Sequence, residues 1–212
     1  MAGPQQLSRL RTQQQLPAAR ERVRLPVLAL LAALVCAAAA SSAERPTVVH
    51  YYAAFDNGKL ASDLNVTERV RGYCPSESGI LVRRYAWRCF GGRYIYDPCF
   101  SRTARSGVVV CSKLPWSKKV RLMRLTRPLP SWTQYRNRRN SPWGIWTATG
   151  KRCFALSHVQ GTVAGRPQTY NCVGGGVLAG YADRRRPAWR IYYAPSWRSK
   201  RVTPVRVTDA WW

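Results

Sequence analysis

Acidic side chains are scarce in this chain: nine Asp and Glu stand against 35 Lys and Arg in 212 residues, a formal net charge of +26. That shortage excludes a protein that neutralises itself by internal ion pairing, and it creates a field that draws polyanions and speeds encounter with them. Histidine is almost missing, with only His50 and His158, and no two cysteines are spaced C-x-x-C. Such a pattern excludes the usual Cys/His metal site, and no cofactor motif is present. There is no Gly-x-Ser-x-Gly nucleophile elbow. Gly174-Gly175-Gly176 lacks the Gly-Lys-Ser/Thr ending of a phosphate loop and reads as a flexible turn. The eight acids beyond residue 43 are Glu44, Asp56, Asp63, Glu68, Glu77, Asp97, Asp183 and Asp209. No spacing among them selects the carboxylate pair that a glycosidase needs, so no catalytic residue is assigned. Asp97 before Pro98 reads as a turn-former.

What is present points first to export. A polar, basic stretch is followed by the apolar run Leu25–Ala40 and then by the small residues Ser41-Ser42-Ala43. This order is that of a secretory signal, and cleavage is expected after Ala43. The run falls short of the roughly 20 residues of a spanning helix, although an uncleaved membrane anchor over residues 25–40 is the alternative. Without residues 1–43 the chain keeps 30 basic and eight acidic side chains, a net charge of +22. It also keeps six cysteines: Cys74, Cys89, Cys99, Cys111, Cys153 and Cys172. An even number after a signal segment reads as three disulfides formed outside the cytosol. Sequence alone does not choose among the possible pairings; neighbour pairing, Cys74–Cys89, Cys99–Cys111 and Cys153–Cys172, is the simplest.

No run of ten or more residues after position 43 carries the 3.6-residue apolar period of a helix. Short β-rich runs alternate instead with Gly and Pro turns. Residues 44–71 read as an N-terminal extension with one possible strand over Thr47–Tyr52, and residues 72–212 as a cystine-linked β domain. Its centre is a hairpin, Tyr85–Phe90 and Tyr94–Phe100, around Gly91-Gly92. Further strands are expected over Ile80–Val82, Gly107–Cys111, Lys119–Thr126, Trp143–Thr147, Cys153–Leu156, Val159–Val163, Thr169–Val173, Ala188–Tyr193 and Val202–Trp212. The expected fold is all-β, a disulfide-stapled sandwich or small barrel of short antiparallel strands.

Several segments together resemble a family: Gly72-Tyr73-Cys74, Ala86-Trp87-Arg88-Cys89, Ile95-Tyr96-Asp97-Pro98-Cys99-Phe100, Val109-Val110-Cys111, Tyr170-Asn171-Cys172 and the closing Val207–Trp211. They are similar to small secreted actinobacterial proteins with a six-cysteine β domain, over Gly72–Trp211. The resemblance implies export and a cystine-linked domain, and it brings no activity or catalytic residues.

Basic and aromatic residues interleave repeatedly, as in Trp189-Arg190-Ile191-Tyr192-Tyr193 and Trp197-Arg198-Ser199-Lys200-Arg201. Aromatic faces stack on sugars or bases, while Arg binds phosphate and carboxylate. On β-strands the aromatics serve the core, so the contacts expected for a polyanion fall in loops: Arg136, Arg138, Arg139, Arg184, Arg185, Arg186, Arg198, Lys200 and Arg201. The expectation is a secreted, non-enzymatic protein of the cell envelope whose basic loops bind an anionic envelope polymer or another extracellular polyanion. Two other classes stay open: a secreted hydrolase acting on cell-wall or nucleic-acid polymers, and a structural or protein-interaction module whose charge serves solubility.

Overall fold

The computed structural model describes residues 44–132, 140–157 and 160–212, and residues 44–212 form one compact unit. The leader, residues 1–43, lies outside the described residues. Three short strands come first: β1 (Val48–His50), β2 (Phe55–Asp56) and β3 (Lys59–Leu60). The last two pair around Asn57-Gly58, both at positive φ. β4 (Asn65–Glu77), β5 (Ala86–Gly91), β6 (Tyr94–Phe100), β7 (Val108–Cys111) and β8 (Lys119–Leu125) then close a five-stranded barrel. β9 (Gly144–Thr147), β10 (Arg152–Ala155), β11 (Thr162–Val163), β12 (Arg166–Cys172), β13 (Val177–Asp183), β14 (Arg190–Ala194) and β15 (Thr203–Trp211) follow. Of these, all but β11 close a six-stranded ring, because β15 pairs back onto β9. The fold is thus all-β, as expected, built as two small barrels rather than a sandwich.

Both barrels are up-and-down meanders, and strand number sets how each closes. An odd number leaves the first and last strands pointing the same way, so β4 and β8 pair in parallel over Asn65–Gly72. An even number leaves them opposed, so β9 and β15 pair antiparallel. β1 adds parallel to β15 through Val48↔Asp209 to His50↔Trp211, filling the edge that β14 leaves open beyond Arg206.

Alternation along the strands sorts the side chains. Cys74, Trp87, Cys89, Cys99, Val109, Cys111 and Met123 form the interior of the first barrel. The indole of Trp87 is fully buried, and its N–H donates to Ser101 Oγ at 2.8 Å, which removes the cost of burying an unpaired donor. Ile145, Cys153, Tyr170, Leu178, Ile191 and Val207 line the second barrel, where the Tyr170 hydroxyl donates to the Pro142 carbonyl at 2.7 Å. Outward-facing residues of the first barrel, Phe100, Val110 and Val120, join the core of the second. Tyr52 lies between them, its ring 5.1 Å from Phe100 and 5.4 Å from Trp143.

The disulfides are Cys74–Cys89, Cys99–Cys111 and Cys153–Cys172, two in the first barrel and one in the second. Cys99 faces Cys111, and Cys153 faces Cys172, as directly opposed residues of adjacent strands. Three disulfides fit an oxidising, extracytoplasmic compartment.

Two expectations change. Ile80–Val82 is not a strand: the Ser78 hydroxyl accepts the amides of Ile80 and Leu81, at 3.2 and 3.0 Å, and bends the chain between β4 and β5. The boundary drawn at residue 72 falls inside β4, which runs unbroken from Asn65 to Glu77. Residues 44–71 are therefore part of the fold and not an appendage to it.

Candidate functional site: a barrel mouth and a basic barrel end

The first candidate is a cleft of about 390 Å³ at one mouth of the five-stranded barrel. It exists because β6 outruns β7. The two pair only at Cys99↔Cys111 and Phe100↔Val110, so Tyr94–Asp97 keep β5 on one edge and lack a β7 partner on the other. Proline ends the ladder here, since Pro98 has no N–H to donate, and the peptide bond before it is cis. The β5–β6 register slips by one residue between Trp87↔Cys99 and Cys89↔Tyr96, which turns both Cys99 and Tyr96 toward the interior.

Glu68 of β4 and Arg121 of β8, opposed in the parallel register, form an ion pair at this mouth (Nε to Oε2 2.5 Å). The Arg121 guanidinium lies 5.4 Å from the Tyr96 ring centre. Cys111, Ser112 and Lys113 also line it, with Tyr94 and Ile95 both more than half exposed at the rim. Asp97 also lines the cleft, but its carboxylate is held: Oδ1 accepts the Ser78 hydroxyl at 2.5 Å and Oδ2 the Gly79 amide at 2.9 Å. The two acids of the cleft are thus each committed to an internal donor. Of the mouth residues the sequence singles out Cys111, and Asp97 only as a turn-former, whereas Asp97 lies within β6 and its carboxylate holds the Ser78-Gly79 bend. The available signal was Pro98 within a β-rich run, which marks where a ladder must stop.

The second candidate is electrostatic. Acids are engaged pairwise with bases: Glu44 with Arg190, Asp63 with Lys118, Glu68 with Arg121 and Asp183 with Arg185. Arg185 grips Asp183 through Nε and Nη2 and holds that carboxyl down to about 2; the Lys118 ammonium lowers Asp63 in the same way. Few acids then remain to offset the other cations.

The barrel topology divides the expected basic loops. Successive turns of a meander lie at alternate ends, so residues 195–202 share one end of the six-stranded barrel with turns 148–151 and 173–176. That end carries Lys151, Arg198, Lys200 and Arg201, and its three turns contain no acid. Trp197 stands there 57% exposed, with the Arg198 guanidinium 4.7 Å from its ring centre. Arg184, Arg185 and Arg186 lie at the opposite end, all exposed. There Arg185 is spent on Asp183, and Arg184 lies 5.8 and 5.9 Å from the rings of Trp189 and Trp212. Arg136, Arg138 and Arg139 lie outside the described residues, as does His158.

His50 is the one histidine described. Its Nε2 is 2.8 Å from Asp209 Oδ1, and its ring stacks on Trp211 at 4.6 Å between centres. The contact clips β1 to β15. The chain matches no protein-family model, no curated protein and no solved structure.

Proposed function

We propose that this protein is an exported, non-enzymatic component of the cell envelope that binds anionic polymers, and that the acid-free end of the six-stranded barrel is its contact surface. The observation that carries the reading is that Lys151, Arg198, Lys200 and Arg201 lie at the same barrel end as the exposed Trp197, on turns without a carboxylate. An envelope polymer passing over that end meets cations for its phosphates or carboxylates and an indole for its sugar rings. Export follows from the leader and agrees with the three disulfides. The hydrolase alternative gains little from the barrel mouth, where Glu68 and Asp97 already accept internal donors.

Heparin affinity measured against salt tests this. Four phosphate- or sulfate-like contacts give a log–log salt slope of roughly −3, by analogy with single-stranded polyanions. Lys200→Gln with Arg201→Gln is expected to flatten that slope by about 1.4, and Arg184→Gln with Arg186→Gln to change it less. Release of the wild-type protein below roughly physiological salt refutes polyanion binding. Equal loss from both pairs of substitutions refutes the chosen end.

A further inference from the structure

The two disulfides of the five-stranded barrel do not stand apart. The Sγ atoms of Cys89, Cys99 and Cys111 all lie within 4.8 Å of one another, so each bridge touches the other inside the barrel. Cys111 also lines the mouth, beside Lys113 and Arg121. The third disulfide, Cys153–Cys172, belongs to the other barrel and is not part of the cluster.

From this juxtaposition we propose that the barrel mouth is a thiol–disulfide exchange site for small carboxylate-bearing thiols, and that the three clustered sulfurs pass the exchange on from one bridge to the other. The ligand class follows from the lining. Glu68 is held by Arg121, and Asp97 by Ser78 and Gly79, so the charge the cleft presents is the exposed Lys113, which suits an amino-acid or peptide thiol carrying a carboxylate. Lys113 and Arg121 near Cys111 also favour the thiolate, the form of sulfur that attacks and leaves.

The chemistry closes without an added oxidant or reductant. The incoming thiol loses its proton to solvent, and its thiolate attacks Cys111 Sγ. The new S–S bond forms as the Cys99–Cys111 bond breaks, and Cys99 departs as a thiolate. Cys99 then attacks Cys89 Sγ, its neighbour in the cluster, forming Cys89–Cys99 and expelling Cys74, which takes up a proton. Two disulfides and one thiol enter; two disulfides and one thiol leave. The second step needs the sulfurs to close from within 4.8 Å to a reactive approach of roughly 3–3.5 Å, a movement of side chains rather than of strands.

The test uses the intact oxidised protein with glutathione as the probe, followed by thiol blocking and peptide mapping while near-UV circular dichroism reports the fold. The expected first product carries glutathione on Cys111 and a free thiol on Cys74. It should form about tenfold or more faster than any adduct on Cys153 or Cys172, because Lys113 and Arg121 stabilise thiolates beside Cys111 whereas exposure does not favour it, Cys111 being 3% and Cys172 7% exposed. Arg121→Gln and Lys113→Gln are each expected to slow glutathione more than they slow uncharged 2-mercaptoethanol, compared at equal thiolate concentration. First attack on Cys153–Cys172, or adducts formed only after the near-UV signal has gone, would falsify the site. A glutathione adduct on Cys111 whose free thiol stays on Cys99 would overturn the transfer between bridges. Equal slowing of both thiols would overturn the carboxylate-bearing ligand.

Discussion

Gly144 is the point at which the second barrel accepts the first, and Gly144→Ala tests whether that contact holds the two together. Gly144 pairs with Trp211 and Phe154 in β9. A Cβ there would overlap Pro115 Cγ and come within 3.1 Å of Trp116 Cζ3. Neither neighbour retreats easily. Pro115 is a rigid ring in the β7–β8 loop, and that loop is pinned by the Ser112 hydroxyl on Leu114 O at 3.0 Å and the Ser117 amide on the same oxygen at 3.0 Å. Overpacking of this kind costs about 1–3 kcal/mol. Lifting the loop instead would separate Trp116 from Trp146 and Trp211, whose rings are 5.9 and 5.6 Å away, forfeiting about 0.5–1.5 kcal/mol per aromatic pair. Alanine's better strand entropy returns about 0.5–1 kcal/mol. The net expectation is a loss of about 0.5–2 kcal/mol, read from urea unfolding, with a changed near-UV tryptophan spectrum. Pro115→Ala removes the clashing Cγ, so the double variant should recover about 1 kcal/mol or more of coupling. A Gly144→Ala protein within about 0.5 kcal/mol of wild type, with an unaltered spectrum, would refute the argument.

Two further outcomes follow from titrating groups. Asp183 is held down to about 2 chiefly by its hydrogen bond from Arg185, so its folded value lies below that of an unfolded aspartate. Whatever it lends the 184–189 turn is therefore present above pH of roughly 4 and lost as pH falls toward 2. A carboxyl NMR titration should show that low midpoint, and Arg185→Gln should raise it. Burial pushes the Tyr52 phenol up to about 12, so its contribution is complete below roughly pH 10 and lost as pH rises toward 12. The two-unit displacement corresponds to about 3 kcal/mol at most. Alkaline difference absorbance should show the late-titrating phenol in the wild type and lose it in Tyr52→Phe.

Much of the fold was legible in the sequence because β periodicity is local. The hairpin at Gly91-Gly92, the run Lys119–Thr126 and the closing strand each carry alternation and turn residues in adjacent positions. β4 was not legible. Its residues Asn65–Arg71 mix polar and charged side chains, and what makes them a strand is a parallel partner more than 50 residues away, β8. Ile80–Val82 misled for the opposite reason: three apolar residues read as a strand, while one serine hydroxyl turns the chain. The site was legible in composition and not in placement. Nothing local tells that Arg184–Arg186 and Arg198–Arg201 face opposite ends, since that depends on counting strands around a closed ring. The mouth was invisible because Glu68, Tyr96 and Arg121 meet only when β4 closes on β8.

The parity of the two rings also governs how the chain can be rewired. In the six-stranded barrel Trp211 lies opposite Gly144, so the first and last strands end side by side. A short linker there, with a new opening at the Val173–Gly176 turn, preserves every strand pairing of the ring in a permuted order. The five-stranded barrel forbids this. Its parallel closure leaves the start of β4 and the end of β8 at opposite mouths, about 20 Å apart along the strands. The second barrel is consequently a cyclic object that happens to be cut between β15 and β9, whereas the first has a direction, entered at one mouth and left at the other.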